Sequence, residues 1–245
     1  MKPCRRRRLC LTMADRMIGI SGHTLDTFLA GRPRRRGRDV VHYYGLDPAP
    51  LETAVADRIK FRLELALPPD ALLLLFAGRL VPEKNPIFAL DVLAELRQLE
   101  PRAFGVFAGA GSLEHAVKSR ARAVGSEDAV RLLGWRADVS EVMRCCDLFL
   151  LPHPEQPMEG FGLAVLEAQL AGLRLLLSPG VPNDPLLPTA CLRRISLSAG
   201  PPAWAEAAAQ LLDTPAPSGV AAATALRASP MNMDRALGEL IRLHT

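Results

Sequence analysis

Short apolar runs alternate with helical stretches from residue 71 onward, and this alternation constrains the fold more than any other feature of the sequence. Strand-like runs occur at 71–77, 104–108, 129–133, 147–151, 173–177 and 191–195. Helical stretches occur at 86–99, 112–124, 138–145, 162–171 and 202–213. The strands are apolar on both faces, which is typical of a parallel sheet that helices cover on both sides. The sequence therefore predicts a doubly wound, Rossmann-like α/β domain.

The flanking segments are less regular. Residues 1–14 are expected to be unstructured, residues 40–44 to form a strand, and residues 51–65 to form a helix. Proline-rich residues 215–230 are expected to be loose, and residues 233–244 to form a last helix. The regular part of the chain thus lies between these segments.

The stretch Glu159–Gly172 reads as a glycine-rich loop that turns into a helix at about Gly162. Free amides at the start of that helix, those of Gly162 and Leu163 among them, suit a phosphate. Glu167 lies more than a turn further on, where its carboxylate suits vicinal hydroxyls such as those of a ribose, and Glu159 is left for a second polyol. The stretch suggests a nucleotide-sugar site; an ordinary amphipathic helix with a surface Glu is the alternative.

A cationic loop follows the first regular strand. Within Gly78–Pro86, Arg79 and Lys84 stand five residues apart at the carboxyl end of the strand. Such a pair can clamp a diphosphate, Arg as a planar fork and Lys as a mobile point charge. Ligands of doubly wound folds bind beyond the carboxyl ends of the strands, so this loop and the glycine-rich turn are expected at one site. Solvated loop side chains are the alternative.

Three further strand ends carry candidate features. Gly109–Glu114 begins like a dinucleotide fingerprint, but Glu114 occupies the place of the third glycine, so nicotinamide binding is rejected. The turn at Gly134 is suited to a nucleobase, with Trp135 either beside the base or packed in the protein. His153 is expected either to face a substrate or to be structural.

The sequence gives no indication of a metal centre. It contains no Asp-x-Asp pair, which argues against the usual way of holding a metal on a nucleotide-sugar diphosphate, and its histidines are too scattered for a zinc site. The odd number of cysteines, without metal-ligand spacing, indicates reduced thiols of a cytosolic protein. These cysteines are Cys4, Cys10, Cys145, Cys146 and Cys191.

The net charge of +4 is unevenly distributed, because residues 1–40 carry +8 and the remainder −4. A basic segment of this kind attracts nucleic acid or an anionic membrane face. No aromatic residue occurs in the first 27 positions and no nucleic-acid motif is present, which argues against nucleic acid. A solvated arm and weak attachment to anionic lipid both stay open. No apolar run reaches membrane-spanning length and no signal peptide is evident, so a cytoplasmic location is expected, including the inner face of the membrane.

Four motifs occur in order along the chain: Gly78-Arg79 with Lys84-Asn85, Leu133-Gly134 with Asp138-Val139, the run Asp147–Pro152, and Glu159–Gly162 with Glu167 and Gly172. Taken together, they resemble, in order and spacing, the nucleotide-sugar-binding half of the retaining glycosyltransferases of family 4. Residues 18–28, 41–47 and 233–244 are also similar to that family's interdomain passage, its next strand and its closing helix, and 196–212 resembles members of exopolysaccharide and capsule pathways.

The resemblance implies a GT-B enzyme with two Rossmann-like domains, an active site in the cleft between them, and metal-independent transfer of a sugar with retention. Arg79 and Lys84 would contact the diphosphate of a UDP- or GDP-linked donor. Glu159 would contact the transferred sugar, and Glu167 the ribose hydroxyls. No cofactor is implied, and the acceptor would be a glycan or a lipid-linked molecule.

The resemblance also divides the chain. Residues 1–45 would be a basic arm and the exit segment of a missing acceptor-binding domain, 46–214 the donor-binding domain, and 215–245 a loose linker with the closing helix. The leading hypothesis is a glycosyltransferase donor half, either a fragment or one half of a split enzyme whose acceptor domain is a separate chain. The alternative is a non-catalytic nucleotide-sugar-binding module or partner subunit, which predicts donor binding without transfer.

Overall fold

The computed structural model describes residues 5–53 and 57–244. Cys4 and the first residues of the basic arm lie outside the described residues. The strands are β1 (Met17–Gly19), β2 (Asp39–Val41), β3 (Leu72–Ala77), β4 (Ala103–Ala108), β5 (Val130–Gly134), β6 (Leu148–Leu151), β7 (Arg174–Leu177) and β8 (Leu192–Arg194). The helices are α1 (Arg5–Met13), α2 (Gly22–Leu29), α3 (Ala49–Thr53), α4 (Arg58–Glu64), α5 (Pro86–Leu99), α6 (Glu114–Ala123), α7 (Val139–Cys145), α8 (Leu163–Leu170), α9 (Gly200–Leu212), α10 (Gly219–Ala228) and α11 (Met233–His244).

Six strands form one parallel sheet in the order β5-β4-β3-β6-β7-β8. Counted from β3, this is the order 3-2-1-4-5-6 of a doubly wound dinucleotide-binding sheet, with its reversal between β3 and β6. The structure confirms the predicted Rossmann-like fold. Each of these six strands begins and ends within one residue of the predicted run, whereas β2, predicted at 40–44, ends at Val41.

Apolar side chains explain why these segments became strands buried on both faces. Every residue of β6 is buried, as are the last five of β3, so neither face of the central sheet meets solvent. Helices α5 and α9 pack against each other and against the sheet, while α7 and α8 contact each other and the strands β3 and β7. The largest fully buried side chain, Trp204 of α9, packs edge-on against Phe88 of α5. This core fixes the strand ends that carry the candidate site.

The basic arm is the first place where the structure differs from expectation. Residues 5–13, expected to be unstructured, form helix α1. Leu11 of this helix packs against Leu25 and Leu29 of α2, and the Arg7 guanidinium lies 5.7 Å from the centre of the Phe28 ring. A helix this short is marginal on its own, so it depends on this tertiary packing, which local sequence patterns could not indicate.

The segment 215–230 also differs from expectation, because residues 219–228 form helix α10 instead of a loose linker. The Ser218 hydroxyl caps the helix by accepting a hydrogen bond from the Ala221 amide, and Leu226 is fully buried. Flanking prolines suggested a loop, whereas a run of alanines allows close packing on α8. Likewise, the single helix expected over 51–65 is replaced by α3 and α4 on either side of residues 54–56, which lie outside the described part.

A small ribbon formed by β1 and β2 packs, with α2, against the loop before α8. The Thr24 hydroxyl donates to the Gly160 carbonyl oxygen at 3.0 Å, and the rings of Tyr43 and Tyr44 each lie 5.9 Å from that of Phe161. The Gly22 amide donates to Asp184 Oδ1 at 2.9 Å. The amino-terminal segment therefore supports the glycine-rich loop from outside the sheet.

Candidate functional site

A cavity of about 340 Å³ opens at the carboxyl ends of β3, β4 and β5, on the side where α8 begins. Its size is within the range of small-molecule sites. Arg79 and Glu167 lie in its wall, and apolar side chains from α7 line another part of it. The lining residues are Ala77, Gly78, Arg79, Ala108, Gly109, Ala110, Trp135, Arg136, Val139, Met143, Ala164 and Glu167.

Close backbone contacts shape the mouth of this cavity. The Gly109 amide donates to the Gly134 carbonyl oxygen at 2.7 Å, next to a register shift between β4 and β5. A Cβ atom at Gly109 would lie 1.9 Å from the Gly78 carbonyl oxygen, so any larger residue would force the two strand ends apart. The glycines of the rejected dinucleotide pattern thus allow three strand ends to converge.

Arg79 is an exposed side chain at the wall of the cavity. Its guanidinium makes no hydrogen bond or ion pair with any residue that the structure describes. The Gly78 amide and the Leu80 amide donate to carbonyl oxygens of the neighbouring strand end, each at 3.0 Å, which fixes the backbone on both sides of Arg79. A guanidinium that is positioned but unpaired is suited to an anionic ligand.

Helix α8 supplies a second group of donors. Gly162 has φ of +91°, in the left-handed region that favours glycine, and the turn it makes starts the helix at Leu163 without a side-chain cap. The amides of Leu163 and Ala164 have no acceptor among the described residues, as expected for a helix start. Because Ala164 lines the cavity together with Arg79, the start of α8 lies at the wall of the same space. The Leu163 side chain itself points to solvent.

Glu167 is the acid of the cavity. Its carboxylate makes no hydrogen bond or ion pair within the described part of the chain, and burial raises the pKa of the carboxyl. A partly buried carboxylate without partners is a strong acceptor for hydroxyl groups. It is unsuited to a phosphate, which it would repel.

Lys84 and Glu159 lie together beside the start of α8. The Lys84 ammonium donates to Glu159 Oε2, and the Glu159 amide donates to the Gly180 carbonyl oxygen at 2.9 Å. His153 Nε2 is 3.7 Å from the same Oε2 atom, and burial lowers the pKa of this histidine. His153 is therefore buried, as a structural histidine would be. It is also a neighbour of Glu159, the acid predicted to contact the transferred sugar.

The turn after β5 presents Trp135 at the cavity. Gly134 has φ of +65°, and the Trp135 side chain is 77% exposed, so it is not packed in the protein. Arg136 pairs with Asp138 and also lines the cavity. A flat, exposed ring at the edge of a cavity is suited to stacking against an aromatic ligand.

Residues 57–185 match the family model of the glycosyl transferases group 1. The chain belongs to this family. The match covers more than half of the chain and includes every candidate residue described above. The parallel sheet and its helices are those of a GT-B glycosyltransferase domain.

Curated relatives of this group 1 chain are glycosyltransferases. The chain is 38% identical over 139 residues to the D-inositol 3-phosphate glycosyltransferase of Stackebrandtia nassauensis. The aligned region covers 52% of this chain and 30% of that protein. The chain is 32% identical over 117 residues to the UDP-Gal:alpha-D-GlcNAc-diphosphoundecaprenol alpha-1,3-galactosyltransferase of Escherichia coli, covering 46% and 30%. The matched region thus spans less than a third of each relative.

Among solved structures, that of Anabaena HepE in complex with UDP has a TM-score of 0.78 and 22% identity. The similarity covers 96% of this chain and 65% of HepE. A glycosyltransferase from Rickettsia africae has a TM-score of 0.79 at 12% identity, covering 99% and 66%. At these identities the likeness shows the fold alone.

The structure thus places the predicted residues of this group 1 chain in two adjoining groups. Arg79 and Glu167 line the cavity, and the Gly134 carbonyl oxygen braces its mouth. Lys84 and Glu159 form a pair next to it, at the turn made by Gly162. Sequence reasoning missed this pairing, and also the apolar part of the lining from α7.

Val139 and Met143 form the missed apolar lining of the cavity. Their spacing of four residues places both on one face of α7, and the motif that contains Val139 follows a strand end. This spacing in the sequence could have indicated that Val139 and Met143 line the cavity together. Within residues 5–53 and 57–244, no group of three His, Cys, Asp or Glu side chains is placed to hold a metal ion.

Proposed function

We propose that this chain is the donor-binding half of a retaining glycosyltransferase of family 4. In this proposal it transfers a sugar from a UDP- or GDP-linked donor, without a metal or a cofactor, to a glycan or lipid-linked acceptor in polysaccharide biosynthesis. One observation carries the proposal. Arg79 with its unpaired guanidinium, Ala164 with its unpaired amide at the start of α8, and Glu167 with its unpaired carboxylate line one cavity, which matches the diphosphate and the ribose of a nucleotide sugar.

The same geometry suits the chemistry of transfer. When the bond between sugar and diphosphate breaks, negative charge grows on the departing nucleoside diphosphate. Arg79, Lys84 and the α8 amides are donors around the place where that charge would develop, so they would stabilise it. Glu159, beside Lys84, would hold hydroxyls of the transferred sugar, and Trp135 would stack against the base.

Two of the comparisons support the donor and acceptor classes. HepE has been solved in complex with UDP. The Escherichia coli relative is named for a UDP-Gal donor and a diphosphoundecaprenol-linked acceptor. Because this chain covers 65% of HepE, the proposal assigns acceptor binding to a further GT-B domain, in the same chain or in a separate one. Residues 46–214 would be the donor domain.

Calorimetric titration with UDP, GDP and ADP, with and without magnesium, tests the proposed donor site. We expect one nucleotide to bind saturably without magnesium, and Arg79→Ala to weaken it about ten- to hundredfold, since a hydrogen bond to a charged group contributes about 1.5–3 kcal/mol. Arg122→Ala is the matched control, because Arg122 is an exposed arginine of α6 paired with Glu127.

Equal losses in the two arginine variants, or no binding by the folded wild-type chain, would contradict the proposed donor site. Donor binding without transfer, after an acceptor domain is supplied, would favour the non-catalytic module. The identity of the nucleotide that binds would assign the donor base.

We also propose that the amino-terminal basic segment associates weakly with an anionic membrane surface, which would bring the donor site to a lipid-linked acceptor. Helix α1 begins with four arginines and carries Leu9 and Met13, whose side chains are 58% and 72% exposed. Exposed apolar groups beside clustered arginines are typical of interfacial segments. No helix within the described residues is long and apolar enough to cross a membrane.

A further inference from the structure

Lys84, a cation that the proposed donor site needs for the diphosphate, forms an ion pair with Glu159. Both side chains are largely buried, at 19% and 13% exposure, and Glu159 is the one acid paired with Lys84 among the described residues. The two residues are 75 positions apart, so the pair is a product of the fold. Lys84 is therefore neutralised by a neighbouring acid.

The position of this pair places it in competition with a diphosphate. The Glu159 side chain packs beside Gly162, because a Cβ atom there would lie 3.5 Å from Glu159 Cγ. The amides of Leu163 and Ala164, which start α8, follow directly. An anion bound to these amides would attract the Lys84 ammonium. The ammonium would then have to leave the Glu159 carboxylate or contact both anions at once.

The Glu159 carboxylate has few other partners. Its Oε1 accepts a hydrogen bond from the Gly160 amide at 3.2 Å. His153 Nδ1 lies 2.9 Å from the Pro154 carbonyl oxygen and donates its proton there in the neutral ring, so Nε2, 3.7 Å from Glu159 Oε2, carries a lone pair. The neutral histidine cannot replace Lys84 as a donor. Once Lys84 leaves, Glu159 is a mostly buried carboxylate without a cation.

We propose that the Glu159–Lys84 pair makes the site select an intact nucleotide sugar over the free nucleoside diphosphate. This inference rests on the proposed function. Either ligand draws Lys84 away from Glu159, and a buried carboxylate that has lost its cation is costly. Sugar hydroxyls donate hydrogen bonds to Glu159 and offset that cost, whereas a free nucleoside diphosphate has no sugar there. Glu159 thereby also favours release of the nucleoside diphosphate product.

The test is the substitution Glu159→Gln, which keeps the shape of the side chain and removes its charge. We expect free UDP or GDP to bind about tenfold or more tightly, because Lys84 is no longer held by an acid. The matching sugar nucleotide, UDP-glucose or GDP-mannose, should gain less or lose affinity, so the preference for the intact donor shrinks. Glu155→Gln in the same loop is the control, since Glu155 is exposed.

A double-mutant cycle excludes a merely structural effect. In a Lys84→Met background, Glu159→Gln should no longer tighten binding of the free nucleotide, because the competition has been removed. Thermal unfolding and far-UV circular dichroism establish that each variant is folded. Unchanged affinity for free nucleotide in folded Glu159→Gln, or the same gain without Lys84, would overturn the inference while leaving the donor site intact. No nucleotide binding by wild type would overturn the proposed function as well.

Discussion

At the scale of single residues, two acids eight positions apart have different surroundings, and this difference supports the different roles that the proposed function gives them. Glu159 is paired with Lys84, whereas Glu167 has no partner among the described residues and burial raises its pKa. Only an unpaired acid is free to accept hydrogen bonds from a ligand at no cost to an existing ion pair. The structure thus favours Glu167 as the ribose acceptor of the proposed site.

The raised pKa gives a pH dependence with a defined sign. The ionised Glu167 is the stronger acceptor, so nucleotide affinity should fall as this carboxyl becomes protonated. Because burial raises its pKa, the fall should begin at a higher pH than for an ordinary glutamate. Titrations from about pH 8 to about pH 5 in wild type and in Glu167→Gln isolate this contribution, since protonation of the nucleotide itself is common to both.

At neutral pH, Glu167→Gln should weaken nucleotide binding about ten- to hundredfold and raise the free energy of unfolding. The folded state binds a proton to Glu167 more tightly than the unfolded chain does, so wild-type stability gains as the pH falls and the buried charge is costly at neutral pH. A loss of both binding and stability in urea denaturation would identify Glu167 as a structural residue.

At the scale of elements, Gln169 links helix α8 to the loop that contains Pro185 and Leu187. Its Nε2 donates to the carbonyl oxygens of Val165 and Pro185, each at 2.9 Å, and its Oε1 accepts from the Leu187 amide at 2.8 Å. The whole group is buried. This side chain therefore contributes to the orientation of α8, and with it to the direction of its free amides.

Gln169→Leu should lower the free energy of unfolding by about 2–4 kcal/mol, because it leaves a buried amide and a buried carbonyl group without partners. Urea denaturation measures this loss. Gln210→Leu on α9 is the control, since Gln210 is exposed and bonds to the Arg193 side chain. A similar loss in the two variants would mean that the Gln169 network does not hold α8.

The same scale shows what local sequence patterns can and cannot predict. The strands β3 to β7 were predictable because they are short apolar runs and most of them have a glycine or a proline close to an end. Helix α10 was not, since its stability comes from alanines packed on α8, and Pro215 and Pro217 at its start gave a loop signal. Likewise, the positions of the loops that carry Arg79 and Glu167 could be predicted from the strand ends. The Lys84–Glu159 contact could not, because it depends on how two loops that are distant in sequence pack together.

At the scale of the whole molecule, the excess positive charge lies in the amino-terminal segment, and many exposed apolar side chains lie in the two terminal segments. Residues 1–40 carry a charge of +8, and the rest of the chain −4. Leu9 and Met13 of α1 are exposed, as are Leu237 and Ile241 of α11, whose end contacts Arg16. The positive charge of residues 1–40 and the exposed apolar side chains together fit an anionic lipid surface better than either feature alone.

This arrangement predicts binding to vesicles that contain phosphatidylglycerol, and not to neutral vesicles, in a co-sedimentation assay. Each basic residue near such a surface contributes about 1 kcal/mol, and the attraction is screened within about 10 Å at 0.1 M salt, so added salt should release the protein. Replacing Leu9 and Met13 together by Asp should weaken binding about tenfold or more, because two apolar anchors are lost and two negative charges are added.

The control for this experiment is the double replacement of Ile59 and Leu63 by Asp. These residues are also four positions apart on a helix and exposed to 67% and 71%, but they lie on α4. If the two double variants lose vesicle binding equally, the attraction comes from net charge and not from the face of α1. Binding of wild type to RNA as tightly as to anionic vesicles, at equal salt, would identify a general polyanion site and remove the argument for a membrane.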